Sequence, residues 1–173
     1  MYYSTTHPSP VGVLTLACDG TNLVGLWLEG QKYHGDTVPE AMTEKDDLPI
    51  FDAAKQWLDR YFAGEKPAIS ELPLAPIGNA FRQGVWSILC EIPYGEVTTY
   101  GAIAQRLGCG SAQAVGGAVG HNPISIIIPC HRVVGASGSL TGYAGGVQTK
   151  IKLLELEGVD MAKLFVPKKG TAL

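Results

Sequence analysis

The sequence predicts an α/β (α+β) protein in two parts, a small sheet-plus-helix domain followed by a mainly helical one. Three observations carry this. Strand-like apolar runs split by an Asp-Gly turn lie near the start of the chain, and helical periodicity dominates after residue 80. Charge also changes sign: residues 1–77 hold 5 Lys/Arg against 11 Asp/Glu, net −6, and residues 78–173 hold 8 against 5, net +3. A polyanionic partner would meet the second part.

In the first part, Val11–Cys18 and Leu23–Leu28 read as strands joined by Asp19-Gly20-Thr21-Asn22, a hairpin signal. Residues 34–49 are polar and acidic and read as a loop. Phe51, Ala54, Leu58 and Phe62 recur at helical spacing, with Gly64 as a stop. Pro67, Pro73 and Pro76 mark 66–77 as a linker.

The second part opens with a helix whose apolar face is Phe81, Val85, Ile88 and Leu89, ending near Pro93-Tyr94-Gly95. Thr98 or Thr99 caps a short helix from Tyr100 to Leu107, and Ser111 caps another reaching about Gly120. Two short helices across Gly108-Cys109-Gly110 fit a helix-turn-helix, or an ordinary helical hairpin. The second helix carries no charge and two interior glycines, each costing about 1 kcal/mol relative to Ala. Small residues there suit the close approach of another backbone, in nucleic acid or within the protein.

Next, Ile124–Ile128 reads as a core strand that Pro129 ends, presenting Cys130 and His131 at its exit. A thiol beside an imidazole is either a nucleophile with its base or a small buried hydrophobe next to a histidine. Residues 135–146 are glycine-rich and could shape a pocket wall, but no Gly-Lys-Ser/Thr follows, which excludes a P-loop. A final helix spans Thr149–Glu157, stopped by Gly158.

Composition sets limits. With 46% hydrophobic and 17% charged residues this is an ordinary folded chain, and no apolar run reaches membrane-spanning length. Residues Met1–His7 have neither a basic region nor an apolar signal core. Cys18, Cys90, Cys109 and Cys130 are far apart, which argues against a zinc cage or a secreted disulfide framework and predicts a cytoplasmic protein.

The sequence resembles the O6-alkylguanine-DNA alkyltransferases, or methylated-DNA–protein-cysteine methyltransferases. The resemblance rests on Ile92-Pro93-Tyr94-Gly95-Glu96-Val97-Thr98-Thr99-Tyr100, Ala114-Val115-Gly116-Gly117-Ala118, Asn122-Pro123 and Ile127-Ile128-Pro129-Cys130-His131-Arg132-Val133-Val134. Tyr143-Ala144-Gly145-Gly146, Lys150, Leu154 and Glu157-Gly158 complete it, so that it covers essentially all of 80–158 in order. It implies a ribonuclease H-like methyltransferase domain over 1–75, a winged-helix/helix-turn-helix alkyltransferase domain over 78–162 and a tail over 163–173. It also implies DNA repair by a monomer that enters the minor groove of double-stranded DNA, with no metal, cofactor or membrane. The damaged guanine would be turned out of the stack, at a cost of a few kcal/mol that is smaller for a badly paired lesion. Its alkyl group would pass once and irreversibly to a cysteine, with O4-alkylthymine as a second candidate substrate.

Residue by residue, the resemblance makes Cys130 the acceptor, His131 the base acting through a water, Glu157 the group that orients the imidazole, and Asn122 the brace of the turn. This is triad logic with a soft thiolate nucleophile suited to an O-alkyl carbon. From the residues alone, Glu157 could equally be a solvated helix end and Asn122 ordinary turn chemistry before Pro123. By resemblance Tyr100 crowds the phosphate and meets the purine. The DNA-contacting helix start is Ser111, Gln113 and Ala114, and Val133, Tyr143, Ala144, Val119 and Ser125 line the pocket. Arg132 is expected to be structural. Members usually carry arginine where this chain has Gln113, the residue that fills the gap left by the extruded base; Gln brings neither charge nor a guanidinium plane. Rival readings are a non-catalytic alkyl-lesion-binding protein, a winged-helix regulator, whose recognition helix should be basic or base-reading, and a cysteine hydrolase, which should turn over.

Overall fold

The computed structural model describes residues 1–167. It divides into two compact units, one formed by Met1–Gly78 with Pro123–Ile127, the other by Asn79–Asn122 with Ile128 onward.

In the first unit, β1 (Tyr2–Ser9), β2 (Gly12–Cys18) and β3 (Leu23–Leu28) form an antiparallel meander, and β4 (Met42–Glu44) adds parallel to β1, giving the order β3-β2-β1-β4. The β2–β3 turn forms because the Asp19 carboxylate accepts from the backbone N–H of Thr21 and Asn22. Every residue of β3 is buried, so an unbroken apolar run was its sequence signal. Helix α1 (Pro49–Phe62) starts on a proline at its first turn and buries Phe51, Ala54, Trp57, Leu58 and Tyr61.

Two expectations for this unit change, and one strand was not anticipated. Strand β1 had no sequence reading at all. The acidic stretch 34–49 contains β4, which pairs in parallel with β1 over three residues. Residues 66–77 are not a free linker: Leu23 N–H donates to the Pro73 carbonyl and Ala75 N–H to the Leu23 carbonyl, so the segment extends the sheet beside β3.

The second unit opens with α2 (Ala80–Leu89), capped by the Asn79 side chain on Arg82 N–H. It buries Val85, Trp86, Ile88 and Leu89, while Phe81 stays exposed. A two-residue strand β5 (Thr98–Thr99) leads into α3 (Tyr100–Arg106) and α4 (Ala112–Gly120). Thr99 caps α3 through Ala102 N–H and Ser111 caps α4 through Ala114 N–H. Trp86 anchors α4 by donating its indole N–H to the Ala118 carbonyl at 2.9 Å.

The core strand expected over 124–128 does not form. Ile124 makes a single bridge to Leu26, Ile126 turns with φ 71°, and Cys130–Arg132 is a 3-10 turn. Only Val133–Val134 is strand, β6, and it pairs in parallel with β5. The apolarity of Ile124–Ile128 reflects burial, which a turn satisfies as well as a strand. Helix α5 (Val147–Leu156) closes the unit, beginning two residues before the expected Thr149 and ending one before the expected Glu157. In the expected tail, Phe165 exchanges backbone hydrogen bonds with Gly138 and Leu140, while residues 168–173 lie outside the described residues.

Candidate active site

Cys130 opens the 3-10 turn, its N–H donating to the Ile128 carbonyl at 2.8 Å. Pro129 ahead of it carries no donor of its own. Asn122, just past the end of α4, donates its side-chain amide to the same Ile128 carbonyl at 2.8 Å. It also hydrogen-bonds the Cys130 thiol. The end of the second short helix and the cysteine turn are therefore tied by one buried side chain.

His131 and Glu157 meet across 26 residues: Nε2 lies 2.6 Å from Oε2, both side chains fully buried. Three further donors hold the same carboxylate. Arg132 Nε donates to Oε1 at 2.8 Å, its Nη2 to Oε2 at 3.1 Å, and Gly95 N–H to Oε1 at 3.2 Å. Arg132 also donates to the Ile92 carbonyl and lies 5.7 Å from the centre of the Tyr94 ring. Gly95 is required here. It has φ +83°, and a Cβ would stand 3.1 Å from the Glu157 carbonyl oxygen.

The protonation states follow from these contacts. Burial pushes the Cys130 thiol up, against the Asn122 hydrogen bond and the Lys150 charge, so the resting group is the thiol. Burial lowers His131, and the charges of Arg132 and Lys150 oppose the pull of Glu157, so the imidazole is neutral. Burial alone would raise Glu157, but hydrogen bonding to His131 and Arg132 holds it at about 2, ionised.

Lys150 is a functional candidate that sequence reasoning missed. Buried on α5, it donates to the Val133 carbonyl at 2.5 Å and the Thr141 carbonyl at 2.9 Å. Burial lowers its pKa to about 8 against the raising effect of Cys130. A signal did exist: Lys150 stands in i, i+3, i+4 register with buried Leu153 and Leu154, on the apolar face of its helix. Arg132, expected to be structural, is buried and belongs to the same network.

The other predicted residues are distributed as follows. Tyr100 is buried, donates to the Thr141 carbonyl at 2.9 Å, and has its pKa raised by burial and by Cys130. Val133 and Val119 are buried; Tyr143 and Ala144 are partly so. The Tyr143 hydroxyl is buried without a hydrogen-bond partner among the described residues, and its pKa is raised by burial, then by Cys130 and Glu157. Gln113 and Ala114 are exposed at the start of α4, and Ser111 spends its hydroxyl on the cap. Ser125 falls in the first unit, where its hydroxyl donates to Gln31 Oε1. A separate groove of about 310 Å³, lined by Ile88, Glu91, Ile92, Val97, Ile103 and Arg106 among others, includes none of these residues.

A polarisable thiol, a neutral imidazole to take its proton and an ionised carboxylate to steady the resulting charge form a machine for one nucleophilic displacement. Comparison with known proteins agrees with that chemistry. Residues 80–159 match the "6-O-methylguanine DNA methyltransferase, DNA binding domain" and residues 1–76 its "ribonuclease-like domain". A methylated-DNA–protein-cysteine methyltransferase of Haemophilus influenzae is 46% identical over 159 residues, covering 91% of this chain and 87% of that protein. One from Mycobacterium tuberculosis is 48% identical over 159 residues, covering 91% and 93%. The crystal structure of Mycobacterium tuberculosis O6-methylguanine methyltransferase superposes with a TM-score of 0.79 at 44% identity, over 98% of this chain and 97% of that one. That organism's OGT in complex with DNA gives 0.80 at 46% identity, over 90% and 91%.

Proposed function

The chain belongs to the 6-O-methylguanine DNA methyltransferases and is a DNA-repair methylated-DNA–protein-cysteine S-methyltransferase that binds DNA through a helix-turn-helix, and on that premise we propose that Cys130 is the acceptor and that His131, Glu157 and Asn122 serve it. The Cys130 sulfur forms a bond to the alkyl carbon as the bond from that carbon to guanine O6 breaks. The thiol proton passes through a water to His131 and on to the purine, which leaves as guanine. The thioether does not revert, so each molecule acts once. The observation carrying this assignment is the buried His131–Glu157 pair beside the cysteine turn.

Helix α4 enters the minor groove with Ser111, Gln113 and Ala114 leading. The close approach its small residues permit is to DNA: at Gly117, one of the two interior glycines, no atom lies within 4 Å of where a Cβ would stand, so internal packing does not demand a glycine there. Gln113 fills the gap left by the extruded nucleotide, and Tyr100 turns from Thr141 toward the phosphate and the purine. Val133, Tyr143, Ala144 and Val119 wall the pocket; Ser125 acts on it only indirectly. The protein works as a monomer in the cytoplasm, in keeping with four free cysteines. The hydrolase and regulator readings fall with the family assignment.

The test is intact-protein mass after incubation with duplex DNA carrying one O6-methylguanine, for wild type and Cys130→Ala. A gain of one methyl group by wild type alone is expected. A gain by both would move the acceptor elsewhere, and lesion-specific binding without a gain would restore the non-catalytic reading.

A further inference from the structure

Glu157 is held by more cation than a simple triad requires. A lone buried carboxylate 2.6 Å from an imidazole would draw a proton onto the ring and keep it there. An imidazolium cannot accept the thiol proton, so such a pair would sit in the wrong state at neutral pH. The second cation on this carboxylate is Arg132, whose planar fork takes both oxygens, Nε on Oε1 and Nη2 on Oε2. Its remaining geometry is fixed by the Ile92 carbonyl and the Tyr94 ring, leaving the fork one orientation.

We propose that Arg132 is a positioning residue for alkyl transfer: by neutralising and clamping Glu157 it keeps His131 uncharged and turned so that its other ring nitrogen, Nδ1, faces the proton-transfer path. Arg132 thus acts through Glu157 and His131 and touches no reacting atom. The assignment rests on Cys130 being the acceptor and His131 its base.

The neighbours of His131 agree with this division of labour. From α5 comes Lys150, which opposes the imidazolium, and from the residue just past its end Glu157, which favours it. On its own turn Arg132 opposes it, and Cys130 is the proton donor. Tyr143 interacts with Cys130 and Glu157, and its burial keeps it neutral. Cys90 at the end of α2 and Tyr94 in the following turn both interact with the Arg132 charge and are kept neutral by burial. Arg132 is therefore the cation that contacts the carboxylate itself, and Lys150 acts from its seat on two backbone carbonyls.

The test is the pH dependence of single-turnover methyl transfer from duplex O6-methylguanine DNA, for wild type, Arg132→Gln and Arg132→Lys. Arg132→Gln should move the acidic limb upward by about one pH unit, so that the rate near pH 6 falls about tenfold more than the rate near pH 8.5. Arg132→Lys keeps the charge without the fork and should return the limb toward wild type. Equal loss at every pH, or a lysine variant displaced as far as the glutamine one, overturns the proposal. If Arg132→Gln does not fold, 15N NMR of the wild-type imidazole decides. Ordinary titration near the usual histidine pKa of about 6.5 overturns the proposal; a neutral Nε2–H ring persisting well below it, with burial and Arg132 both acting against the proton, is the result the proposal requires. A wild type that gains no methyl at any pH would sink the acceptor assignment instead, and the imidazole spectrum would still judge the role of Arg132.

Discussion

Tyr100 and Lys150 share one acceptor: the Thr141 carbonyl oxygen lies 2.9 Å from the phenol oxygen and 2.9 Å from the ammonium nitrogen. The movement of Tyr100 proposed above would therefore leave no buried carbonyl unsatisfied, because Lys150 stays. Lys150 also spans to Val133, joining β6 to the glycine-rich loop that carries Tyr143.

Lys150→Met should accordingly do two things. Losing one donor from two buried carbonyls costs about 1–3 kcal/mol, and losing a cation near Cys130 slows its reaction with iodoacetamide. The wild type carries a pH signature as well. With the Lys150 pKa at about 8 in the fold and about 10.4 unfolded, the unfolded chain binds more protons between those values. Stability contributed by this site should rise across that window as pH increases. Urea denaturation at several pH values checks this, and Lys150→Met should flatten that rise.

Glu157→Gln strands the Arg132 guanidinium in the interior and should destabilise the protein by about 3–5 kcal/mol. Because the folded carboxyl is depressed to about 2 from an ordinary 4.5, its contribution is complete above about pH 4.5 and is lost as pH falls toward 2. The gap between wild type and variant should therefore narrow in acid, as read by circular dichroism melts. A constant gap from pH 7 to about pH 3 would contradict the depressed carboxyl.

Asn122→Ala removes the amide that holds both the Ile128 carbonyl and the Cys130 thiol. The thiol pKa should rise further, so alkylation by iodoacetamide near neutral pH should slow several-fold while the chain loses about 1–3 kcal/mol. Unchanged thiol reactivity would mean that the amide supports the turn and not the sulfur.

Gln113→Arg should speed methyl transfer on duplex DNA, because a guanidinium adds phosphate attraction and a plane for stacking in the vacated gap. The same substitution should matter less on a single-stranded oligonucleotide, where extrusion costs little. A rise in the duplex-to-single-strand rate ratio of about tenfold corresponds to about 1.4 kcal/mol of help with extrusion. No change in the ratio would separate Gln113 from that step.

Gly95→Ala introduces strain of about 1–3 kcal/mol at a φ of +83° and pushes a methyl toward the Glu157 backbone. Thermal melts should fall, and methyl transfer should fall with them, since the Gly95 N–H helps fix the carboxylate.

What could be read along the chain was whatever local chemistry determines. Thr99 and Ser111 start their helices by accepting from N–H groups three residues on, and Asp19 shapes its turn through its nearest neighbours, so those signals are complete within a few residues. The Cys130-His131 pair and the glycine-bearing second helix were equally local, and the family pattern supplied expected roles for them. Burial was where the reading failed. Ile124–Ile128 looked like a strand because it is apolar, yet apolarity reports exclusion from water and not backbone geometry, and the segment became a turn. Residues 66–77 looked like a linker because of their prolines, yet the Pro73 carbonyl and the Ala75 N–H pair with Leu23 of β3.

By itself, then, the sequence determined most of the helices and turns and the family, and it singled out Cys130 as the candidate nucleophile. Only the tertiary structure decided the electrostatics: that Arg132 and His131 divide one carboxylate 25 and 26 residues away, and that a lysine sits inside on two backbone carbonyls. Charge states in a protein interior depend on distances between groups remote in the chain and on the loss of water around them. Neither quantity exists until the chain has folded.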